Sequence, residues 1–445
     1  MKKIITVIVC SLCCNMVAAQ TYTLEQLKAS ARHNNITLRN AQRSVASAAQ
    51  QRKEAFTKYF PNISGTGFWF NANKGMARMD VNPSQMIPAE VGSAMAQQLP
   101  AEALTALQSP ISMSMLKNGT IAGVNAVQPV FAGGQIVNGN RLARVGEEAA
   151  RLQLELSDNE VERQTEQYYW QLVSLQEKMK TIAAVDTLLG DIYKDVDVAV
   201  RAGLAMRNDL LQVQLRRNDI ESQRVKLQNS ISIVRLLLVQ YCGLENADFT
   251  LVANTETEPP MIQQQDYGQA LLSTPEYQLL GKQVEAAKLQ KNLAIGQQLP
   301  TVAVGAGYNY HNLLDNNRTF GMVFATVSVP ISGWWGGSYA IKRKEIEHQK
   351  AIDEQRDKAQ LLQIRMQNAY NNVVEARQQL AIAQRSIEQS EENLRLHRNF
   401  YKAGTTKMSD LLEAQLLYQQ SLDRRTDAYA DLQNKILEYR QATGQ

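Results

Sequence analysis

The chain has 445 residues, with 47 basic against 43 acidic side chains and a formal net charge of +4. That near balance argues against nucleic acid as a partner. Beyond the first nineteen residues no run of eighteen apolar residues occurs, which excludes a transmembrane helix.

Residues 1–19 read as a secretory signal. Lys2-Lys3 supply the positive start, Ile4 to Cys14 are mostly apolar, and Val17-Ala18-Ala19 places small residues before a cut at Gln20. Cys10, Cys13 and Cys14 follow Val9, Leu12 and Cys13 rather than the small residue a lipobox wants, so plain cleavage is favoured. After cleavage 45 basic and 43 acidic residues remain, with one cysteine, Cys242. No intramolecular disulfide is then possible, and Cys242 reads as a small buried hydrophobe. An exported chain of this kind is periplasmic, secreted or an outer-membrane β-barrel.

Leu24 to Tyr59 reads as a helix stopped at Phe60-Pro61. Asn62 to Phe70 follows as a strand with aromatic residues at its end. Residues 71–118 form an insertion, expected on the extracellular side, where barrel loops are long. It carries Met76, Met79, Met86, Met95, Met113 and Met115. Methionine sulfur can hold Cu(I), but the segment has no histidine or cysteine, and apolar packing is expected.

Thr120 to Phe131, containing Pro129, is the next strand. Asn138 to Arg201 then runs without proline, with Leu154, Val161, Tyr168, Leu175, Ile182, Leu189 and Val196 recurring every seven residues. A strict seven-residue period means left-handed supercoiling of packed helices. At 1.5 Å per residue such a helix measures on the order of 95 Å. A turn at Gly203-Leu204 leads to a returning helix, Asp209 to Tyr241, and residues 246–265 read as a linker.

Pro275 to Gln298 is a helix ended at Leu299-Pro300. Thr301 to Tyr310 is a strand with Val302, Val304, Ala306, Tyr308 and Tyr310 on one face, and about ten residues separate it from a partner strand at Phe320 to Ile331, containing Pro330. Gly333-Trp334-Trp335-Gly336-Gly337 lacks the lysine of a phosphate loop. It reads as a turn from strand to helix with its tryptophans at the membrane interface. Ser338 to Lys402 repeats the seven-residue pattern at Ile352, Ala359, Met366, Val373, Leu380, Ile387, Leu394 and Tyr401. Its neighbouring seam is small: Ala369, Ala376, Ala383 and Ser390. The turn Gly404-Thr405 leads to a last helix, Ser409 to Arg440. His33, His311, His348 and His397 are scattered without metal-ligand spacing. No nucleophile or acid–base constellation accompanies them, so no catalytic residue, metal or cofactor is expected.

The chain says most of this twice. Pro129 recurs as Pro330, Ala202-Gly203 as Ala403-Gly404, Asp209-Leu210-Leu211 as Asp410-Leu411-Leu412, Gln214-Leu215 as Gln415-Leu416 and Gly243 as Gly444, always 201 residues later. The implied organisation is a signal at 1–19, a first repeat at 20–245, the linker at 246–265 and a second repeat at 266–445. Pro61, Pro129, Pro300 and Pro330 would mark the junctions of strands with helices. Four strands cannot close a barrel, and lipid tolerates no open sheet edge. Two chains would give eight strands and a filled interior; three would give twelve and a lumen, so a homotrimer in outer-membrane lipid is favoured. The bland alternative is a periplasmic structural coiled-coil protein.

Signal peptide, duplicated halves, strand pairs inside long helices and Gly-x-x-x-x-x-Asp at both far turns together resemble the TolC family of outer-membrane efflux ducts. The resemblance covers nearly the whole mature chain. It implies an α+β membrane protein: a trimeric twelve-stranded barrel continued by a long periplasmic α-helical tunnel, with no enzymatic activity. It further implies passive conduction, with a periplasmic adaptor and an inner-membrane pump of resistance-nodulation-division or ABC type as partners. Drug efflux and type I protein secretion are both served by this family.

Gly203, Leu204, Gly404 and Thr405 would form the adaptor-docking tips. Tyr401 falls on the family's gate tyrosine, Asp209 on its acidic partner, and Asp410 and Glu413 on two lumen-facing acidic positions. Where the family's gate has an arginine this chain has Thr406, followed by Lys407, which leaves the closing ion pair open. Asp410 and Glu413 lie three apart on one helix face. Threefold symmetry would gather six carboxylates into a cation-favouring ring, and crowding would raise their pKa values. Asp209 and Asp410 are equally suited to capping their helices.

Overall fold

The computed structural model describes residues 20–445 apart from 89–90, 92–99, 101, 104, 106–108, 254 and 314–315. The expected signal with its three cysteines, and Met95, lie outside these. The chain forms two compact units, and each draws segments from both sequence repeats.

One unit comprises Gln50–Arg144 and Ala286–His348. Its centre is a four-stranded antiparallel sheet in the order β2-β5-β7-β8, with β2 at Asn62–Asn71, β5 at Asn118–Ala132, β7 at Thr301–Leu313 and β8 at Asn316–Ser328. Residues paired across a ladder share a face. Asn62, Ser64, Thr66, Asn125, Asn309, His311 and Arg318 share one with Phe68, Ile121, Phe320, Met322 and Phe324, while Ile63, Val124, Val304, Tyr308, Val323 and Val327 share the other with Gln128 and Asn312. A hollow of about 650 Å³ lies against the first face, lined mainly by Ile121, Leu313, Phe320, Met322 and Phe324 with Asn125, Asn309 and His311 among them. Strand β7 passes closely under that face: a Cβ on Gly305 would collide with the Phe324 ring. Both outer strands, β2 and β8, have an unpaired edge within this sheet.

Several boundaries differ from the sequence reading. The last strand ends at Ser328, before Pro330, because proline and the residue ahead of it break the ladder. Pro61, Pro300 and Pro330 stand between elements, but Pro129 lies inside β5, where the register with β7 shifts between Pro129 and Phe131. A residue that cannot donate to the ladder is accommodated by that bulge. Gly333–Gly337 is no turn: helix α7 begins at Gly333. The strands of the second pair are separated by two residues, not ten. The insertion carries its own hairpin, β3 (Ala77–Val81) with β4 (Ile111–Met115), in which Met79 faces Met113. Met76, Met79, Met86 and Met113 are at least half exposed, so the expected apolar packing is absent for these four. Among the described residues no group of His, Cys, Asp or Glu is arranged to hold a metal ion.

The other unit comprises the described residues up to Ala49, Val145–Glu285 and Gln349–Gln445. Its helices are α1 (Leu24–Asn34), most of α2 (Ile36–Thr57) and α3 (Gln135–Arg201), α4 (Arg207–Cys242), α5 (Tyr267–Ser273), the start of α6 (Pro275–Gly296), most of α7 (Gly333–Lys402), and α8 (Met408–Ala442). Among the described residues no helix is long and apolar enough to cross a membrane. The expected opening helix is broken at Asn35, whose side chain donates to Tyr241 O at 3.1 Å while Ser30 and Asn34 donate to Cys242 O. These bonds satisfy the last carbonyls of α4, which a helix end leaves open. Cys242 is buried, and burial pushes its thiol up to about 12.

The small seam is buried as its period requires: Ala369, Ala376, Ala383 and Ser390 pack inward beside Met366, Val373 and Leu394. Residues 246–265 are held rather than loose. Phe249–Leu251 (β6) pairs in parallel with Gln20–Tyr22 (β1). Beyond it, Tyr169 donates to Val252 O, Arg425 to Thr255 O, Tyr429 to Thr257 O, Arg377 to Pro260 O and Tyr439 to Gln263 O, at 2.7–3.2 Å.

Candidate gate at the paired helical turns

The two far turns have the same backbone. Gly203 and Gly404 take φ of 73° and 72°, the left-handed conformation that glycine closes helices with. Leu204 N–H donates to Ala199 O at 2.8 Å, and Thr405 N–H to Phe400 O at 2.9 Å. Beneath them Val196, Val213, Leu394, Met408, Leu411 and Ala414 form one buried apolar cluster from all four helices. The turns are thus fixed by burial, and what they present is decided by their side chains.

Asp209 and Asp410 each sit third in the returning helix, where a carboxylate suits the helix dipole. Their bonds differ. Asp410 is satisfied within its own turn: Thr406 Oγ1 donates to it at 2.8 Å, Ser409 Oγ at 3.1 Å and Lys407 N–H at 3.4 Å. Those donors, Thr406 foremost, hold its carboxyl below the usual range. Within one protomer this is opposite to the rise expected from crowding. Asp209 reaches across instead and accepts from Tyr401 Oη at 3.4 Å. Burial first, and the Asp209 charge second, push the Tyr401 phenol up to about 12. The 201-residue offset explains the split: Ala205 stands where Thr406 stands in the other turn, and Val200 where Tyr401 stands.

A hollow of about 600 Å³ lies between the turns, bordered by Asp195, Asp209, Arg398, Tyr401 and Thr406. Glu413 is exposed one turn beyond Asp410, flanked by buried Leu411 and Ala414. The structure therefore brings Tyr401 and Asp209 together and leaves Glu413 without a partner among the described residues. Thr406 bonds Asp410 inside the turn, and Lys407 precedes α8 as an exposed residue. Sequence reasoning missed Arg398 and Asp195. Arg398 lies three residues before Tyr401, hence on the same helix face, and that spacing could have found it.

Residues 267–445 match the family model described as outer membrane efflux protein. No curated protein matches the sequence. Among solved structures the chain is similar to the outer membrane protein VceC of Vibrio cholerae, at 15% identity and TM-score 0.73, covering 95% of this chain and 96% of that one. It is similar to CusC at 16% identity and TM-score 0.78, covering 95% and 92%. The open state of the MtrE outer membrane channel of Neisseria gonorrhoeae matches at 14% identity and TM-score 0.74, covering 95% and 88%.

The fold over almost the whole chain is that of the outer-membrane efflux channels. The match over residues 267–445 and the shared fold agree with the resemblance to the TolC family seen in the sequence. The solved neighbours are described as outer membrane proteins and channels, and this chain shares their fold.

Proposed function

We propose that this chain is the exit duct of a tripartite efflux system, closed at its periplasmic end by the paired turns. Three copies would join β2 of one chain to β8 of the next, giving a twelve-stranded barrel with no open edge. The face that carries Asn125, Asn309, His311 and Arg318 then lines the lumen, and the face of Val304, Val323 and Val327 meets lipid. Substrates pass without chemistry, delivered by an inner-membrane pump of resistance-nodulation-division or ABC type through a periplasmic adaptor. The tips at Gly203, Leu204, Gly404 and Thr405 receive that adaptor; Leu204 is 84% exposed, an apolar side chain with nothing to cover it in this chain.

The observation that carries the gate is the Tyr401–Asp209 bond, which ties the second turn to the first. Asp410 and Glu413 would form the acidic ring below it. Planar-bilayer recording of the purified trimer tests both. Tyr401→Phe should raise conductance severalfold, and Asp410→Ala with Glu413→Ala should reduce cation preference. A wild-type conductance left unchanged by Tyr401→Phe would remove the gate from this account.

A further inference from the structure

Between β8 and α7 a line of exposed apolar side chains continues past the end of the sheet at Ser328. Val323, Val327, Val329 and Ile331 are all exposed in sequence along it. Trp335 and Tyr339 follow at 79% and 78% exposure. Arg343, also exposed, is four residues further on, so Trp335, Tyr339 and Arg343 form one column along the helix. Trp334 does the anchoring, its indole donating to Gln298 O at 2.8 Å, which leaves Trp335 to project outward.

The cations beside Arg343 are occupied. Lys342 pairs with Glu345 at 3.5 Å and Lys344 with Glu347 at 2.6 Å. Arg343 makes no ion pair within 4 Å among the described residues; Glu347, one turn on, feels its charge but is bonded by Lys344. The junction itself does not require this column: at the 201-residue offset the first copy has Gly134, Asn138 and Leu142 instead.

We propose that Trp335, Tyr339 and Arg343 bind the phosphate of an anionic phospholipid in the periplasmic leaflet of the outer membrane. Continuity with the lipid-facing valines identifies the occupant. Ring systems with one polar end settle at the membrane interface, and a guanidinium forks onto phosphate oxygens. The spacing fits. Tyr339 and Arg343 lie about 6 and 12 Å along the helix from Trp335, against a headgroup band of about 5–8 Å per leaflet. The Arg343 side chain leans toward the helix N-terminus, back toward that band. This rests on the outer-membrane placement and is independent of the gate.

Native mass spectrometry of the full-length trimer, titrated with phosphatidylglycerol or phosphatidylcholine, tests it. Wild type should retain phosphatidylglycerol about fivefold better per site, Arg343→Gln should lose that preference, and Arg343→Lys should keep most of it. Brominated phosphatidylglycerol should quench wild-type emission more than that of Trp335→Phe. Equal retention of the two lipids by wild type, or an unchanged preference in Arg343→Gln, overturns the proposal. So does displacement of the lipid by millimolar inorganic phosphate, which would mark a free-anion site. Loss of trimer stability in Arg343→Gln with lipid retention unchanged would make the column a subunit contact and equally overturn it.

Discussion

The two far turns share a backbone and differ in their wiring. Both close on a left-handed glycine over a common apolar cluster, and both place an aspartate at the third position of the returning helix. In the second turn the aspartate is consumed locally by Thr406, Ser409 and Lys407. In the first, Ala205 offers no hydroxyl, and the aspartate is left for a tyrosine from the other copy. Duplication supplies two equal scaffolds; two substitutions between copies, Ala205 against Thr406 and Val200 against Tyr401, convert them into donor and acceptor of one latch.

The shared scaffold is the part most costly to disturb. Gly203 and Gly404 both have open space where a Cβ would go, so replacement tests conformation alone. Gly203→Ala and Gly404→Ala should each destabilise a protomer by about 1–2 kcal/mol, the cost of holding an L-residue in the left-handed region. Thermal melting of the trimer reads this, and a marked inequality between the two variants would mean the turns are not equivalent scaffolds.

The wiring should respond to a smaller change. Ala205→Thr gives Asp209 the local hydroxyl that Asp410 already has, and it should compete with Tyr401. A net hydrogen bond is worth about 0.5–1.5 kcal/mol, so conductance should rise roughly two- to tenfold. Adding Tyr401→Phe to that variant should then contribute little. If the two changes instead multiply, Ala205→Thr acts elsewhere and the comparison fails.

Titration distinguishes Tyr401 from Asp410. Tyr401 is raised to about 12, so the closure it provides is fully present below its ordinary value near 10 and is lost as pH rises toward 12. Conductance of the wild-type trimer should climb across that window, and Tyr401→Phe should show no such climb. Asp410 is depressed, so its contribution to the start of α8 is present above the ordinary carboxylate range and is lost as pH falls through its lowered value. Thr406→Ala removes its strongest donor and should move that titration upward, as followed by carboxyl NMR shifts. An unmoved titration would show that Thr406 does not set it.

Much of this was legible in the sequence, and for identifiable reasons. The seven-residue period forced two long helices because an apolar seam can be buried in no other way, and α3 and α7 begin within five residues of the expected starts at Asn138 and Ser338. The turns were legible because glycine at the left-handed position and aspartate in the first helical turn are local requirements. The resemblance pointed to Tyr401, and the constant offset puts Val200 in its place in the other copy. What escaped depends on partners far along the chain. The break at Asn35 exists because α4 ends beside it, and no residue near Asn35 announces that. Helix α7 takes in Gly333–Gly337 despite three glycines, with Trp334 tied to Gln298 at its start. The linker showed only composition, since its attachments come from tyrosines and arginines on helices that are elsewhere in sequence.

That attachment also governs how the chain can vary. The helices hold residues 252–263 by their main-chain carbonyls, and a carbonyl is the same whatever side chain it accompanies. At the five bonded positions the linker is thus read for length and path more than for identity. Side chains at Val252, Thr255, Thr257, Pro260 and Gln263 can vary more freely than Tyr169, Arg377, Arg425, Tyr429 and Tyr439, while Phe249 is itself buried in the core. Two halves that arose as copies are joined by a segment whose path beyond Phe249 is written largely in the helices.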